Sequence, residues 1–224
     1  MDQTDPTDSQ FGAYRAMWEF FNATLFGGTL RKVILNFSRR AKSLGFFAAE
    51  RWTSGDQVTH EISLNPSHLK REAARDVAST LVHEMVHLWQ HDCGTPKRSG
   101  YHDAQWGRKM EQLGLMPSDT GAPGGKKTGY KMSHYIVEGG AFARAFEQMP
   151  RAYLLPWTCG IDEDAIGKKK QKRKESKLKY SCPLCDANVW GKPGLHVRCD
   201  DCDVSLVSDE ANDAGDAGTE LRAA

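Results

Sequence analysis

The chain has 224 residues, 39% of them hydrophobic and 26% charged, and a formal net charge of +1. That length holds one well-cored domain of about 150 residues plus a small module, and excludes two large domains. No apolar run approaches the roughly 18–20 residues of a membrane span. The acidic, polar start Met1-Asp2-Gln3-Thr4-Asp5-Pro6 lacks the basic and apolar stretches of a signal peptide, so a cytoplasmic protein is expected. Four of the six cysteines fall in two Cys-x-x-Cys pairs near the end of the chain, which in that compartment reads as metal binding rather than a disulfide scaffold. The small net charge is an average of opposed blocks: residues 168–179 hold eight Lys/Arg against one Glu, and residues 200–220 hold eight Asp/Glu and no base.

In chain order, Phe11, Tyr14, Trp18, Phe21 and Leu25 recur at helical spacing before Gly27-Gly28, which predicts an amphipathic helix over residues 11–26. Val33-Ile34-Leu35 and residues 46–52 predict strands. A third is expected over residues 57–64, where Val58, His60, Ile62 and Leu64 alternate with polar residues after the turn Ser54-Gly55-Asp56. The last two strands fit a hairpin, with His60 as a packed or edge histidine. Ala74, Val77, Ala78, Leu81, Met85 and Leu88 form the buried stripe of a helix over residues 71–91. Trp106, Met110 and Leu113 mark another that starts near His102. A Gly-, Pro- and Lys-rich loop spans residues 117–130, followed by a short strand at 135–137 and a short helix at 141–148.

His83-Glu84-Met85-Val86-His87 stands inside the second predicted helix. Residues four apart share a helix face, so both imidazoles can reach one metal ion with Glu84 beside it, placed to act on water. Zinc lowers the pKa of its water toward about 7, and a nearby carboxylate can take that proton and return it to a leaving amine. A catalytic zinc ordinarily takes three protein ligands. His91 lies about 12 Å from His83 along the helix axis, too far to share the ion. The metzincin pattern fails because Gln90 and Cys93 stand where Gly and His are required. His102 is the best remaining candidate, the alternative being a surface histidine at a helix start. Tyr130, His134 and Tyr135 are candidate electrophilic donors, with ordinary packing roles as the competing reading. Cys93 and Cys159 have no partner in spacing and are read as packed or free thiols.

Phe21-Asn22 with Leu25-Phe26-Gly27, then Glu61-Ile62-Ser63-Leu64-Asn65-Pro66, then residues 81–90 around the HExxH motif, then His102 with Trp106, resemble the SprT-like zinc metalloprotease domain. This is the family of the Spartan protease, which degrades proteins crosslinked to DNA. The resemblance covers residues 11–157. It implies zinc on His83, His87 and His102, Glu84 as catalytic acid/base, and DNA-bound or DNA-crosslinked proteins as substrates. Asp103 departs from the Gly that many members carry after the third histidine, which puts the local turn in question.

Cys182-Pro183-Leu184-Cys185 and Cys199-Asp200-Asp201-Cys202 are separated by 13 residues. Four thiolates close a tetrahedral structural zinc site, so a zinc ribbon is expected, with a redox dithiol pair as the alternative. Trp190-Gly191-Lys192-Pro193-Gly194 is read as the turn between two short strands, and His196 as a spare ligand. Lys168, Lys169, Lys170, Lys172, Arg173, Lys174, Lys177 and Lys179 suit the phosphate backbone of DNA, or else form a solvated linker. Tyr180 and Trp190 are candidates to stack on bases or to pack the small core.

The expected architecture is α+β: a flexible N-terminus (1–9), a zincin-like metalloprotease domain with a small antiparallel sheet (10–158), a basic linker (159–178), a β zinc ribbon (179–207) and an acidic disordered tail (208–224). The expected function is a zinc endopeptidase with one catalytic and one structural Zn2+, associated through DNA with the nucleoid or nucleus. A non-catalytic nucleic-acid-binding zinc protein and a metallohydrolase of small amides are the rival readings.

Overall fold

The computed structural model describes residues 5–40, 43–69, 74–98, 100–159 and 177–208. The fold is mixed α and β, and the chain separates into two compact units, Met1–Ile161 and Asp162–Ala224.

In the first unit, α1 (Pro6–Phe26) starts ahead of the apolar periodicity. The Asp5 carboxylate accepts the Thr7 and Asp8 amides, and Pro6 occupies the first helical position, where its missing N–H costs nothing. Residues 6–9 are therefore helical, which corrects their assignment to a flexible terminus. Gly27 ends the helix in the left-handed conformation.

The sheet order is β1 (Ile34–Phe37), β3 (Gln57–Leu64), β2 (Gly45–Ser54). Strands β2 and β3 form the expected hairpin, whereas β1 runs parallel to β3. The sheet is thus mixed, not antiparallel. The hairpin occupies one edge of β3, and the chain leaving β1 passes the end of β3 before entering β2. Asn65 holds that passage: its side-chain amide donates to the carbonyls of Arg40 and Ser43, and its backbone N–H to Leu44.

A bulge breaks the β2 register between Ala48 and Trp52, with Glu50 at φ 51°. It turns the Glu50 amide onto His60 Nδ1 at 2.8 Å, so His60 is the buried packing residue expected of it.

Helix α2 (Ala74–Cys93) is buried from Val77 to Val86 on every side. Leu81, Met85 and Leu88 join Ile62 and Leu64 of the sheet, Phe21 of α1 and Trp106 of α3 (Ala104–Gln112) in one core. Truncating any of those three α2 side chains to Ala is expected to cost about 2–5 kcal/mol. Ala74, expected in the stripe, is exposed at the first turn.

Beyond α3, β4 (Leu115–Ser118) pairs with β5 (Ser133–Ile136), opposing Pro117 to His134. Helix α4 (Ala141–Gln148) and a 3-10 turn (Arg151–Tyr153) complete the unit. Its end is clasped to its beginning. Gln10 exchanges two hydrogen bonds with the Trp157 backbone (3.1 and 2.9 Å), and the Trp157 indole donates to Ser9 Oγ.

In the second unit, β6 (Leu178–Ser181) lies between β7 (Asn188–Gly191) and β10 (Val207–Ser208), while β8 (Arg198–Cys199) pairs with β9 (Val204–Ser205). The segment 192–194 does not close a hairpin, because β7 and β8 belong to different sheets. Among the described residues, no helix is long and apolar enough to cross a membrane.

Candidate metal and catalytic site

His83 and His87 stand one turn apart on α2, both against Trp106 of α3, whose ring lies 4.9 and 5.4 Å from theirs. His102 arrives from the segment before α3 and sits edge-on to the same indole at 4.4 Å. The core anchoring of Trp106 therefore fixes all three imidazoles. His83 Nε2 is 3.3 Å, and His87 Nε2 3.1 Å, from His102 Nε2.

His102 is held by Gly129, a residue that no local sequence pattern marks. Its backbone forms a two-bond bridge with Gly129, at 2.9 and 3.1 Å, and its Nδ1–H donates to the same Gly129 carbonyl at 3.0 Å. Gly129 has φ 153°, a backbone state that side-chain-bearing residues rarely adopt. With Nδ1 committed as donor, His102 presents an unprotonated Nε2 to the other two rings. Asp103 raises no difficulty in place of glycine: its backbone is extended (φ −90°), and its carboxylate caps α3 through the Gln105 and Trp106 amides.

The donor set fits a metal ion. Nitrogens bound tetrahedrally at about 2.0–2.1 Å stand about 3.3–3.4 Å apart, close to the spacing here. The imidazoles are also held neutral, the form that ligates. Burial lowers the pKa of each. His87 falls to about 3, and His83 drops well below its ordinary value, pushed further by the neighbouring His87, His134 and His102.

Glu84 is buried beside His83 but outside this cluster of three imidazoles. Burial raises its carboxyl to about 8, against the opposing effects of a hydrogen bond from the Phe47 amide and the Arg40 charge. Gly45, at the start of β2, permits this approach. A Cβ there would lie 3.3 Å from Glu84 Cγ and 3.0 Å from the Ser63 carbonyl oxygen.

Of the three candidate electrophiles, only His134 reaches the cluster. Its Nδ1 lies 3.2 Å from His83 Nδ1, and its Nε2 2.9 Å from Ser79 Oγ. Tyr130 is 61% exposed, packed on Tyr101, and Tyr135 lies across from Met116 in the β4–β5 pair.

A second histidine cluster has another character. His60 Nε2 is 3.3 Å, and His91 Nδ1 3.1 Å, from one oxygen of Asp92, whose other oxygen meets Arg31 at 2.8 Å. Because His60 Nδ1 accepts the Glu50 amide, its Nε2 carries the proton and donates it to Asp92. That nitrogen has no lone pair for a metal, and the group serves as a structural clamp between β3 and α2.

In the second unit, the sulfurs of Cys182, Cys185, Cys199 and Cys202 lie within 4.8 Å of one another, and Cys185 and Cys199 are 3.7 Å apart. Backbone amides of Leu184 and Cys185 lower the Cys182 thiol to about 7, whereas hydrogen bonding with Cys185 and burial push Cys202 to about 12. Sulfurs bound tetrahedrally at about 2.3 Å stand about 3.8 Å apart, close to the Cys185–Cys199 spacing, so this donor set also fits a metal. His196 is exposed and outside the set. Cys93 is exposed, and Cys159 accepts a hydrogen bond from Arg39.

Lys168, Lys169, Lys170, Lys172, Arg173 and Lys174 lie outside the described residues. Lys177 is exposed, and Lys179 stands on β6 directly across from Trp190. Trp190 is 65% exposed and does not pack the small core, whereas Tyr180 is buried, with its hydroxyl donating to the Lys192 carbonyl.

The SprT-like family model matches residues 14–127. The chain belongs to the SprT-like family. That match runs from α1 into the Gly-rich loop and contains His83, Glu84, His87 and His102; His134 and the cysteine unit of this SprT-like chain fall beyond it. Among curated proteins no match to the chain is found. SprT-like membership associates the first unit with metallopeptidase-type chemistry.

Proposed function

We propose that this SprT-like chain is a zinc-dependent endopeptidase with a zincin-like first unit, acting on proteins bound or crosslinked to DNA. The observation that carries the reading is the convergence of three neutral imidazoles with a buried carboxylate on the next residue. His83, His87 and His102 would hold a zinc ion, and Cys182, Cys185, Cys199 and Cys202 a second, structural one.

When bound, the first ion supplies a Lewis acid that acidifies water and polarises a peptide carbonyl. Glu84 takes the proton of the attacking water and delivers it to the departing amine. Burial holds the Glu84 carboxyl above its ordinary range, and positive charge at the three nitrogens would draw it back down, toward the range in which it can accept a proton near neutral pH. Trp106 and the Gly129 bridge keep the imidazoles in place, so little reorganisation is needed.

A structural histidine site has no use for a buried ionisable carboxylate, which favours catalysis over a purely nucleic-acid-binding role. DNA as partner is supported by the basic block of the sequence and by exposed Trp190 beside Lys179, a cation and a stacking face together. The test is cleavage of a DNA-binding protein substrate with and without DNA, with Glu84→Gln as control. Absence of cleavage under both conditions by zinc-loaded protein overturns the reading.

A further inference from the structure

We infer that His134 is a positioning residue for the metal centre: it accepts the Nδ1 proton of His83 and thereby turns a lone pair of His83 toward the other two ligands. The inference rests on the metallopeptidase reading and extends it to a residue outside the HExxH motif and outside the segment that carries the family match.

The direction of each proton follows from the end of the chain of bonds. Ser79 has one hydroxyl proton, and it goes to the Asp76 carbonyl at 2.8 Å. Ser79 Oγ can then only accept from His134 Nε2, 2.9 Å away, so neutral His134 carries its proton there. His134 Nδ1 is left as an acceptor, and the group 3.2 Å from it is His83 Nδ1, which must donate. His83 Nε2 is consequently unprotonated, 3.3 Å from His102 Nε2.

Asp76, Ser79 and His83 share α2, so a single helix holds both ends of the relay, and β5 inserts His134 between them. The β4–β5 pairing opposite Pro117 sets the position of His134, and a two-point ion pair between Arg75 of α2 and Glu138 just past β5 ties the same two elements together. His83 is thereby treated as His102 is by the Gly129 carbonyl: in each, Nδ1 donates to a fixed acceptor and Nε2 faces the Nε2 of the other.

The test measures zinc release from the 224-residue chain against a graded chelator series, reading zinc per chain. His134→Phe keeps a flat ring but has no acceptor. His134→Asn places an amide oxygen where Nδ1 stood, and Ser79→Ala frees the far end of the relay. Loss of a partner bonded to a metal ligand typically costs about 10–100-fold in affinity. His134→Phe is expected to weaken the histidine-bound zinc by that factor, His134→Asn to recover most of it, and Ser79→Ala to fall between, while the cysteine-bound zinc is unchanged. Wild-type zinc affinity in His134→Phe, or equal weakness of His134→Asn and His134→Phe at matched thermal stability, overturns the assignment. His87→Ala separates the two levels: if it leaves zinc content unchanged, the metal reading itself has failed, independently of His134.

Discussion

Gln90 Nε2 and Asp103 Oδ1 are 2.8 Å apart in the interior of the first unit. The same oxygen caps α3, so one carboxylate links the helix bearing His83 and His87 to the start of the helix that follows His102. Asp103→Ala is expected to lower stability by about 0.5–2 kcal/mol through the lost cap, with an added penalty for the stranded Gln90 amide. Asp103→Asn, which keeps the oxygen, should restore most of it. Thermal unfolding of the three proteins measures this; equal midpoints for Asp103→Ala and wild type would remove the link.

Glu84→Gln should fold and retain both zinc ions, yet cleave about 10²–10⁴-fold more slowly, because an amide cannot take a proton from water. Turnover with a DNA-bound substrate, alongside metal analysis, checks it. Near-normal kcat in that variant would exclude Glu84 as the base.

The metal-free protein should show a two-sided pH profile. His87 and His134, held at about 3 and about 4 by burial, and His83, also depressed, bind fewer protons folded than unfolded. Their contribution is complete above the ordinary imidazole value of 6.5 and is lost as pH falls toward 3. Glu84, raised from 4.5 to about 8, acts in the opposite sense: its contribution is complete below 4.5 and is lost as pH rises to 8. Between pH 6.5 and 8, stability should therefore decline, and Glu84→Gln should remove that decline and steepen the rise between pH 4.5 and 6.5, where Glu84 opposes the histidines. Denaturant midpoints measured from pH 4 to 9 test both halves.

The two metal sites should be separable. Cys182→Ser with Cys185→Ser should remove one zinc per chain and unfold the small unit, which depends on its ion, while the first unit keeps its thermal transition and the histidine-bound zinc. His102→Ala should remove only the latter. Simultaneous loss of both ions from either variant would show that the sites are coupled.

DNA affinity should depend steeply on salt and little on sequence. If about four of the eight cations between Lys168 and Lys179 reach phosphates, log affinity falls against log salt with a slope of roughly −3 to −4. Replacing Lys168, Lys169, Lys170, Lys172, Arg173 and Lys174 by Ala should flatten that slope and abolish stimulation of cleavage by DNA. Trp190→Ala should weaken single-stranded DNA selectively. Fluorescence titrations at several salt concentrations distinguish these effects, and an unchanged slope would place the DNA surface elsewhere.

The elements that the sequence reveals are those whose signal is local. The apolar spacing of α1 and α2, the alternation of β3 and the pairing of His83 with His87 are all contained in short windows. The early start of α1 was present in Asp5-Pro6, a cap followed by a proline, but lies outside the apolar periodicity. Strand β4 was hidden by Pro117, which an edge position tolerates. The parallel pairing of β1 depends on which edge of β3 is still open, a choice made by chain that comes later. His134 and Gly129 act on residues 51 and 27 positions away, and no local pattern encodes such contacts.

The Gln10–Trp157 clasp makes the first unit a closed ring of chain. Because its two ends meet, the order in which its elements are strung together is separable from the structure they form. A circular permutant that joins these ends by a short linker and opens the exposed stretch at Pro123 would carry α1 after α4, yet keep every contact that sets the three imidazoles. The site would then be reached from a different order of elements, which makes the clasp a seam at which this chain can be recut.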